Sequence, residues 1–221
     1  MVLWSDVHNP RSQTQAHGSI KAEGGPRGGD GGRIETSSAQ LNVDGIVVST
    51  QSTRGQAGEW LLDPYDITIG TTAAGNAFTD TNPGDDTYSP TTSASTIRAS
   101  DINSALANGN VTLSTGLAGS PGTNTGNIGI NANLSWTSNK TLTLIAAGNI
   151  TTNASISIGA GGGLSMTAGG NIASGTIGSG YSFTVGSGSS LTQVASGSIS
   201  HNINTTLGTS STIDLNGESA V

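Results

Sequence analysis

The tripeptide Gly-Asn-Ile occurs three times at a constant interval of 22 residues, at 126–128, 148–150 and 170–172. When the sequence is superposed on itself at this offset, apolar residues fall on apolar residues. The clearest pairs are Leu134 with Ile156, Leu142 with Leu164, and Leu144 with Met166. A fixed period is typical of solenoids, in which each unit buries its apolar side only by stacking on the next. The repeat therefore predicts a stack of similar coils.

Within each period the apolar residues come as short alternating pairs, such as Ile128 and Ile130 or Ile156 and Ile158. Alternation every second residue is typical of half-buried strands, and no helical spacing accompanies it in the repeat. Asn, Gly, Ser and Thr between the pairs are turn-forming residues. We therefore predict an all-β protein, a parallel β-helix with rungs of about 22 residues.

Stacking in register brings equivalent residues into columns. We expect Ile128, Ile150 and Ile172 to share one dry column. Asn127, Asn149 and Asn171 should form a ladder in which each side-chain amide donates to the next. Stacked carboxylates would instead repel by on the order of 1 kcal/mol even in water. A chain whose residues repeat in register therefore accommodates neutral side chains at the stacked positions more readily than like charges.

The chain carries little charge, and its balance is acidic. Of its 221 residues only 10% are charged, the formal net charge is -7 and there are no cysteines. Phosphate backbones require a basic face, so we expect no nucleic acid partner. No stretch approaches the roughly 20 apolar residues of a membrane helix, so we expect no membrane span in this segment. Residues 1–20 lack the apolar core of a secretory leader, and we expect a mature segment if the protein is exported.

Charge also divides the chain into three zones of one continuous solenoid. Of the 14 acidic residues, 12 lie at or before Asp101, and residues 102–213 contain none. We predict rungs of irregular length over residues 1–70, with strands near 33–36, 41–43, 46–48 and 60–62. Residues 71–100, rich in Thr, Ser, Asp and Pro, are predicted to be an inserted loop. Residues 101–221 are predicted to be a regular shaft that becomes irregular at its end, where Ile199, Ile203, Ile213 and Leu215 belong either to late rungs or to a frayed terminus.

The first zone also contains a series of linked motifs. In order they are VLWSD at 2–6, GSIKA at 18–22, GGDGGRIETS at 28–37 and GEWLLDPYDITI at 58–69. This series resembles the filamentous haemagglutinin-like adhesins of Gram-negative bacteria, which are passengers of two-partner secretion and related autotransporter systems. The repeat after residue 102 is similar to the shaft of those proteins. The amino-terminal secretion domain of the family is not visible in this sequence.

The resemblance implies a right-handed β-helix, export to the bacterial cell surface and a role in attachment. The implied partners are a host-cell receptor or glycan and an outer-membrane transporter for the parent protein. Neither catalysis nor a cofactor is implied. On this interpretation the chain is a rigid shaft that presents binding loops, with residues 71–100 as the candidate contact loop. A shaft without its own binding function, or the shaft of a contact-dependent toxin-delivery protein, is the alternative within the same fold.

A polysaccharide lyase or hydrolase is the alternative from another functional class, because parallel β-helices also include such enzymes. Hydrolysis of a glycosidic bond requires two positioned carboxylates. The regular shaft contains none, so the candidates are confined to Glu35, Asp44, Glu59, Asp63 and Asp66. Since Asp63-Pro64 belongs to the motifs shared with adhesins, we favour a protein that is not an enzyme.

Four further sequence features bear on metal, phosphate or sugar binding. Asp80, Asn82, Asp85 and Asp86 surround a glycine as in calcium loops, although the closing bidentate Glu is missing and a solvated loop tip is the favoured alternative.

His8, His17 and His201 lack metal-ligand spacing, so no metal site is predicted from them. Gly24 to Gly32 lacks the Gly-Lys-Ser/Thr ending of a phosphate loop and predicts a tight turn. Trp136 alternates with Leu134 and is expected to point inward; if it pointed outward, its ring would suit stacking on a sugar.

Overall fold

The described chain coils into a parallel β-helix, which confirms the predicted all-β class. The structure is a computed structural model that describes residues 2–4, 13–38, 40–72, 78–82, 87–90, 94–115, 125–175, 180–202, 204–217 and 219–220. The chain passes repeatedly along three sides of the coil and adds parallel strands to the stack on each side. Apart from one helix and one antiparallel hairpin, the regular elements in these residues are parallel strands of the coil.

The first side is a single eight-stranded sheet, here called the first sheet. Its strands, in spatial order, are β1 (Val2–Trp4), β4 (Arg33–Ser37), β7 (Glu59–Asp63), β12 (Asn110–Ser114), β15 (Thr141–Ala146), β18 (Gly163–Ala168), β21 (Ser190–Ala195) and β24 (Thr212–Asn216). Because this sheet includes strands from both ends of the chain, it joins the rungs into one stack.

The second and third sides each contain a short pair of strands followed by a longer sheet. The second side has the pair β2 (Gln13–Gln15) and β5 (Gln40–Asn42), then the second sheet of β11 (Ala94–Arg98), β8 (Asp66–Gly70), β13 (Ile128–Ile130), β16 (Ile150–Thr152), β19 (Ile172–Ser174), β22 (Ser198–His201) and β25 (Ser219–Ala220). The third side has the pair β3 (Ser19–Lys21) and β6 (Val47–Ser49), then helix α1 (Ala99–Leu106), then the third sheet of β14 (Leu134–Trp136), β17 (Ile156–Ile158), β20 (Ser182–Val185) and β23 (Asn204–Leu207).

The predicted register of the regular rungs is confirmed. Ile128 pairs with Ile150, and Ile150 with Ile172, and each of the three side chains is at most 1% exposed. Leu134 pairs with Ile156, Leu142 with Leu164, and Leu144 with Met166, as the offset of the sequence predicts. The next rung is longer, because Gln193 follows its neighbour Met166 by 27 residues. The interior columns continue across this change in rung length.

The chain leaves the regular coil after β8. It forms an antiparallel hairpin from β9 (Phe78–Asn82) and β10 (Thr87–Pro90), then returns as β11, which pairs in parallel with β8. The expectation of a loop over 71–100 is therefore corrected for 94–100, which form β11 and the start of α1. Ser95 and Ile97 alternate into the interior, each 0% exposed, and the Leu41 N–H donates to Ser95 Oγ over 3.0 Å.

Helix α1 takes the place of a strand on the third side, where it packs against β6 and β14. Its buried face includes Ile102 and Leu106, both 0% exposed. Two acidic groups tie this excursion to the preceding rung. Asp101 Oδ2 accepts from the Gly45 N–H over 3.1 Å, and the Arg98 guanidinium lies 2.5 Å from Asp44 Oδ1. The excursion is thereby fixed to the body of the coil.

The interior becomes more polar toward the carboxyl-terminal rungs. In the second sheet, Ile130 is followed in register by Thr152, Ser174 and His201. In the first sheet, Met166 is followed by Gln193, which is 0% exposed. The late rungs are therefore packed around buried polar groups as well as aliphatic ones.

The last described rung is formed but only partly covered. Ile199 is 1% exposed in β22, whereas Ile213 and Leu215 of β24 are 37% and 39% exposed. These three residues lie in strands, as the late-rung interpretation expects. Ile203 lies outside the described residues.

Candidate functional site

The predicted asparagine ladder is present, but its hydrogen bonds differ from the expected ones. Asn127 Oδ1 accepts from the backbone N–H of Asn149, and Asn149 Oδ1 accepts from the backbone N–H of Asn171, each over 2.8 Å. Asp66 and Ser198 extend the ladder at its two ends. The expected amide-to-amide donation is wrong at these positions, because the side-chain oxygens accept from backbone N–H groups at the bend that precedes each second-sheet strand. An amide-to-amide bond of 3.2 Å joins Asn153 to Asn131 instead.

The five candidate catalytic carboxylates do not form one cluster. Asp44 is ion-paired with Arg98, and Asp66 Oδ1 accepts from the Asn127 N–H over 2.7 Å, so both have structural partners. Glu35, Glu59 and Asp63 lie at alternate positions of β4 and β7 on the outer surface of the first sheet. These three carboxylates therefore share one face of the first sheet, on neighbouring strands.

Burial and then the negative charge of Glu35 raise the pKa of Asp63 to about 6. Glu35 Oε1 also accepts from Ser37 Oγ over 2.9 Å, so its carboxylate is held in place. Asp63 Oδ1 is buried and has no hydrogen-bond partner among the described residues. The neighbourhood therefore contains a carboxyl group that takes up a proton more readily than an exposed aspartate does.

Beside these carboxylates the outer surface of the first sheet contains a polar groove of about 340 Å³, here called the first-sheet groove. Its lining comes from three consecutive rungs and from β15 of the next. The lining residues are Gly31, Gly32, Arg33, Ala57, Gly58, Glu59, Asn110, Thr112, Thr141 and Thr143. The volume lies within the roughly 300–1,000 Å³ of typical small-ligand sites.

An ion pair crosses the groove. Arg33 Nε lies 3.5 Å from Glu59 Oε2, and the same guanidinium lies 4.0 Å from Glu35 Oε2. Glu59 also accepts a short hydrogen bond from Thr112 Oγ1. The register explains this arrangement, because Arg33 pairs with Glu59, and Glu59 with Asn110, on adjacent strands. The lining itself contains one guanidinium and one carboxylate, and Glu35, which lies beside the lining, makes the local net charge negative.

Glycines at the side of the groove allow adjacent rungs to approach closely. A Cβ atom on Gly31 would lie 1.9 Å from the carbonyl oxygen of Thr50, and one on Gly58 would lie 2.0 Å from that of Gly32. Real Cβ atoms do not approach backbone oxygens so closely, so side chains are excluded at both positions. The groove is open at Gly31 and Gly58 because these two residues contribute only backbone atoms to its lining.

The calcium prediction remains a prediction. Asp80 and Asn82 lie in β9, while Asp85 and Asp86 lie outside the described residues. Within the residues that the structure describes, no group of three or more His, Cys, Asp or Glu side chains is arranged to hold a metal ion.

The histidines have separate environments. His17 Nδ1 donates to the carbonyl of Asp44 over 2.9 Å, and His8 lies outside the described residues. His201 is hydrogen-bonded through Nδ1 to Ser174 and through Nε2 to Gln193, and its ring contacts Phe183 edge-on with centroids 5.5 Å apart. Burial lowers the pKa of His201. Because Ser174 is only 2% exposed and Gln193 is 0% exposed, these two residues and His201 form a hydrogen-bonded group that belongs to the core.

Two smaller predictions are also answered by the structure. Trp136 points inward, as expected from its alternation with Leu134: it is 4% exposed, and its Nε1 donates to the carbonyl of Lys140 over 2.9 Å. The glycine-rich segment forms the predicted turn, which the Gly28 N–H closes by donating to the Gly25 carbonyl over 3.1 Å.

The groove was not predicted from the sequence. Its side chains come from rungs whose lengths are unequal, so the 22-residue period does not bring them together. The one available signal was the clustering of charged residues in the first zone.

No helix in the described part of the chain is long and apolar enough to cross a membrane. No family model and no curated protein matches the chain.

Proposed function

We propose that this chain is a segment of a secreted bacterial surface adhesin, similar to the filamentous haemagglutinin-like proteins, and that it serves as a rigid shaft that presents binding groups. The observation that carries the proposal is the continuous first sheet, which runs through eight strands. At about 4.8 Å per strand the sheet extends about 34 Å along the axis. Each rung buries its apolar columns against its neighbours, so bending the rod would expose them.

The family motifs support the same proposal. They are distributed over β1, β3, β4, β7 and β8, which are the strands that start the stack. Export of the parent protein through an outer-membrane partner and display on the cell surface follow from this proposal, and the receptor is a host-cell protein or glycan.

The candidate contact element within the shaft is the β9–β10 hairpin, whose two strands pair with each other in a separate sheet. To test it, residues 73–92 are replaced by a linker of eight Gly and Ser residues. Because β11 runs parallel to β8, the linker must return along about 17 Å of strand, and eight residues can reach about 26 Å.

Beads coated with the purified protein are expected to adhere to epithelial cells or to bacteria more than albumin-coated beads do. The linker variant should retain its circular dichroism spectrum and lose adhesion. Wild-type beads that adhere no better than albumin-coated beads would contradict the adhesive function. Full adhesion by the linker variant would agree with the shaft function but would exclude the hairpin as the contact element.

A polysaccharide hydrolase is the second candidate, and one observation favours it: Asp63 has a raised pKa and lies near a second carboxylate, Glu35. Glycoside hydrolases pair a carboxyl group of raised pKa with a second carboxylate. The test is incubation with a panel of polysaccharides and measurement of new reducing ends. Release by the wild type that is lost in Asp63→Asn would support this function, and no release from any polysaccharide would exclude it.

A further inference from the structure

We propose that the first-sheet groove binds a neutral oligosaccharide. This inference rests on the proposed adhesive function and names its ligand class.

The charge of the groove disfavours anionic ligands. Arg33 is the one cationic side chain in the lining, and it lies within 4.0 Å of both Glu35 and Glu59. A sulfated, phosphorylated or uronic sugar would have to approach two carboxylates to reach one guanidinium. The local net charge is negative, so its approach would be repelled.

The lining offers hydrogen bonds and little apolar surface. No aromatic or large aliphatic side chain lines the groove. Thr141 and Thr143 contribute hydroxyl groups, Glu59 contributes carboxylate acceptors and Arg33 contributes N–H donors. Vicinal hydroxyls of a sugar both donate and accept, so they can use all of these groups, and hydrogen bonds to charged partners are the stronger ones.

The groove continues as a ladder of hydroxyls along the shaft. Thr143 pairs with Ser165, and Ser165 with Thr192, all on the outer side of the first sheet. Successive hydroxyls are therefore about 4.8 Å apart along the axis. Ile145 and Val194, 38% and 39% exposed, belong to the same surface and can contact the C–H faces of sugar rings. A chain of several sugars would thus meet partners on every rung, whereas a single sugar would fill only the groove.

The test uses titration calorimetry with the wild-type chain and neutral hexasaccharides of glucan, mannan, xylan and chitin type. Oligogalacturonate and a heparin hexasaccharide are the anionic comparators. At least one neutral hexasaccharide should bind, more tightly than its monosaccharide and more tightly than the anionic probes. Absence of neutral binding at millimolar concentration, or binding of the anionic probes alone, would overturn the proposal.

The double variant Thr141→Val, Thr143→Val removes two hydroxyls at nearly constant volume. Since one neutral hydrogen bond is worth roughly a fivefold change in affinity, we expect the pair to weaken binding by about 10-fold or more. Thr184→Val, on the outer side of the third sheet, is the matched control and should bind as the wild type does. Unchanged affinity in the double variant would overturn the assignment of the site.

A second measurement does not depend on the variants folding. Addition of the bound hexasaccharide to isotopically labelled wild-type protein should shift the amide resonances of Asn110, Thr141 and Thr143 and leave that of Thr184 in place. Shifts confined to other surfaces would overturn the site. The bead assay remains independent: adhesion without hexasaccharide binding contradicts only this inference, and hexasaccharide binding without adhesion contradicts only the proposed function.

Discussion

The two ends of the β-helix are stabilised in different ways. In the amino-terminal region, residues 13–115, rungs vary in length, a helix replaces a strand, and the four ion pairs among the described residues all occur here. In the carboxyl-terminal region, residues 125–217, neutral side chains repeat in register. The ladder bonds from Asn149 and Asn171 each bridge 22 residues.

The difference teaches why regularity and charge exclude each other. A strict repeat places like residues on adjacent strands, and like charges there would repel by about 1 kcal/mol even when fully hydrated. Where the rungs are irregular, unlike residues become neighbours. Arg33 then lies beside Glu59, and Glu59 beside Asn110. The ion pair of the first-sheet groove therefore lies in the amino-terminal region, and the first regular rung completes the groove with Thr141 and Thr143.

The largest expected effect is in the regular region. Ile150→Ala removes a side chain that is 0% exposed in the central column, and such truncations cost about 2–5 kcal/mol. Thr151→Ala, on the exposed side of the same strand, should cost about 0.5 kcal/mol or less. Urea denaturation measures both. Equal losses in the two variants would contradict the buried column.

Gly58→Ala probes the close contact between rungs in the amino-terminal region. The new Cβ would lie 2.0 Å from the Gly32 carbonyl oxygen, so we expect a loss of about 1–3 kcal/mol in unfolding free energy. Gly129→Ala is the matched control in the regular region, because its nearest neighbours would lie 3.8 Å away. A Gly58→Ala variant as stable as the control would show that the amino-terminal rungs can move apart freely.

The ion pair between Arg98 and Asp44 should make only the amino-terminal region salt-sensitive. Its groups are 2.5 Å apart with 37% of each side chain exposed, so we expect Asp44→Asn to cost about 1 kcal/mol. Hydrogen exchange of α1 and β11 at low and at 1 M salt measures the effect. Amides of β16 and β19 should not respond, and an equal response there would contradict the distinction between the regions.

The last comparison is the response of the two regions to pH, which we expect to be opposite in sign. The pKa of Asp63 is raised from 3.8 to about 6, so the folded state binds more protons in this interval and stability falls as pH rises through it. Burial lowers the pKa of His201 below 6.5, so the unfolded state binds more protons there and stability falls as pH drops below 6.5.

Hydrogen exchange of β7 and β22 between pH 4 and 8 separates the two effects, after correction for the intrinsic exchange rate. Asp63→Asn should remove the pH dependence at β7, and His201→Gln should remove that at β22. If both strands respond in the same direction, or if neither variant changes the response, these causes are wrong.

The sequence was sufficient to predict strands β13 to β19, because the 22-residue period determined both these strands and their register. It did not reveal β11, whose ASTIR sequence has one large aliphatic residue and buries Ser95 beside Ile97. Helix α1 was missed although Ala99, Ile102 and Leu106 have helical spacing, because eight residues are a weak signal inside a β-rich chain. The groove was missed because its residues become neighbours through unequal rungs, and no sequence period encodes that register.

The central claim is that each rung stacks directly on the next, and the absence of cysteine allows a direct test. Thr151, Ala173 and Ser200 are consecutive neighbours on the second sheet. Adjacent strands lie about 4.8 Å apart, within the range that a disulfide bridges, and strands two rungs apart lie about 9.6 Å away, beyond it. Under mild oxidation, the variant with Thr151→Cys and Ala173→Cys should form an intramolecular disulfide by mass spectrometry, while Thr151→Cys with Ser200→Cys should keep both thiols. Free thiols in the first variant, or equal crosslinking in the second, would contradict the account.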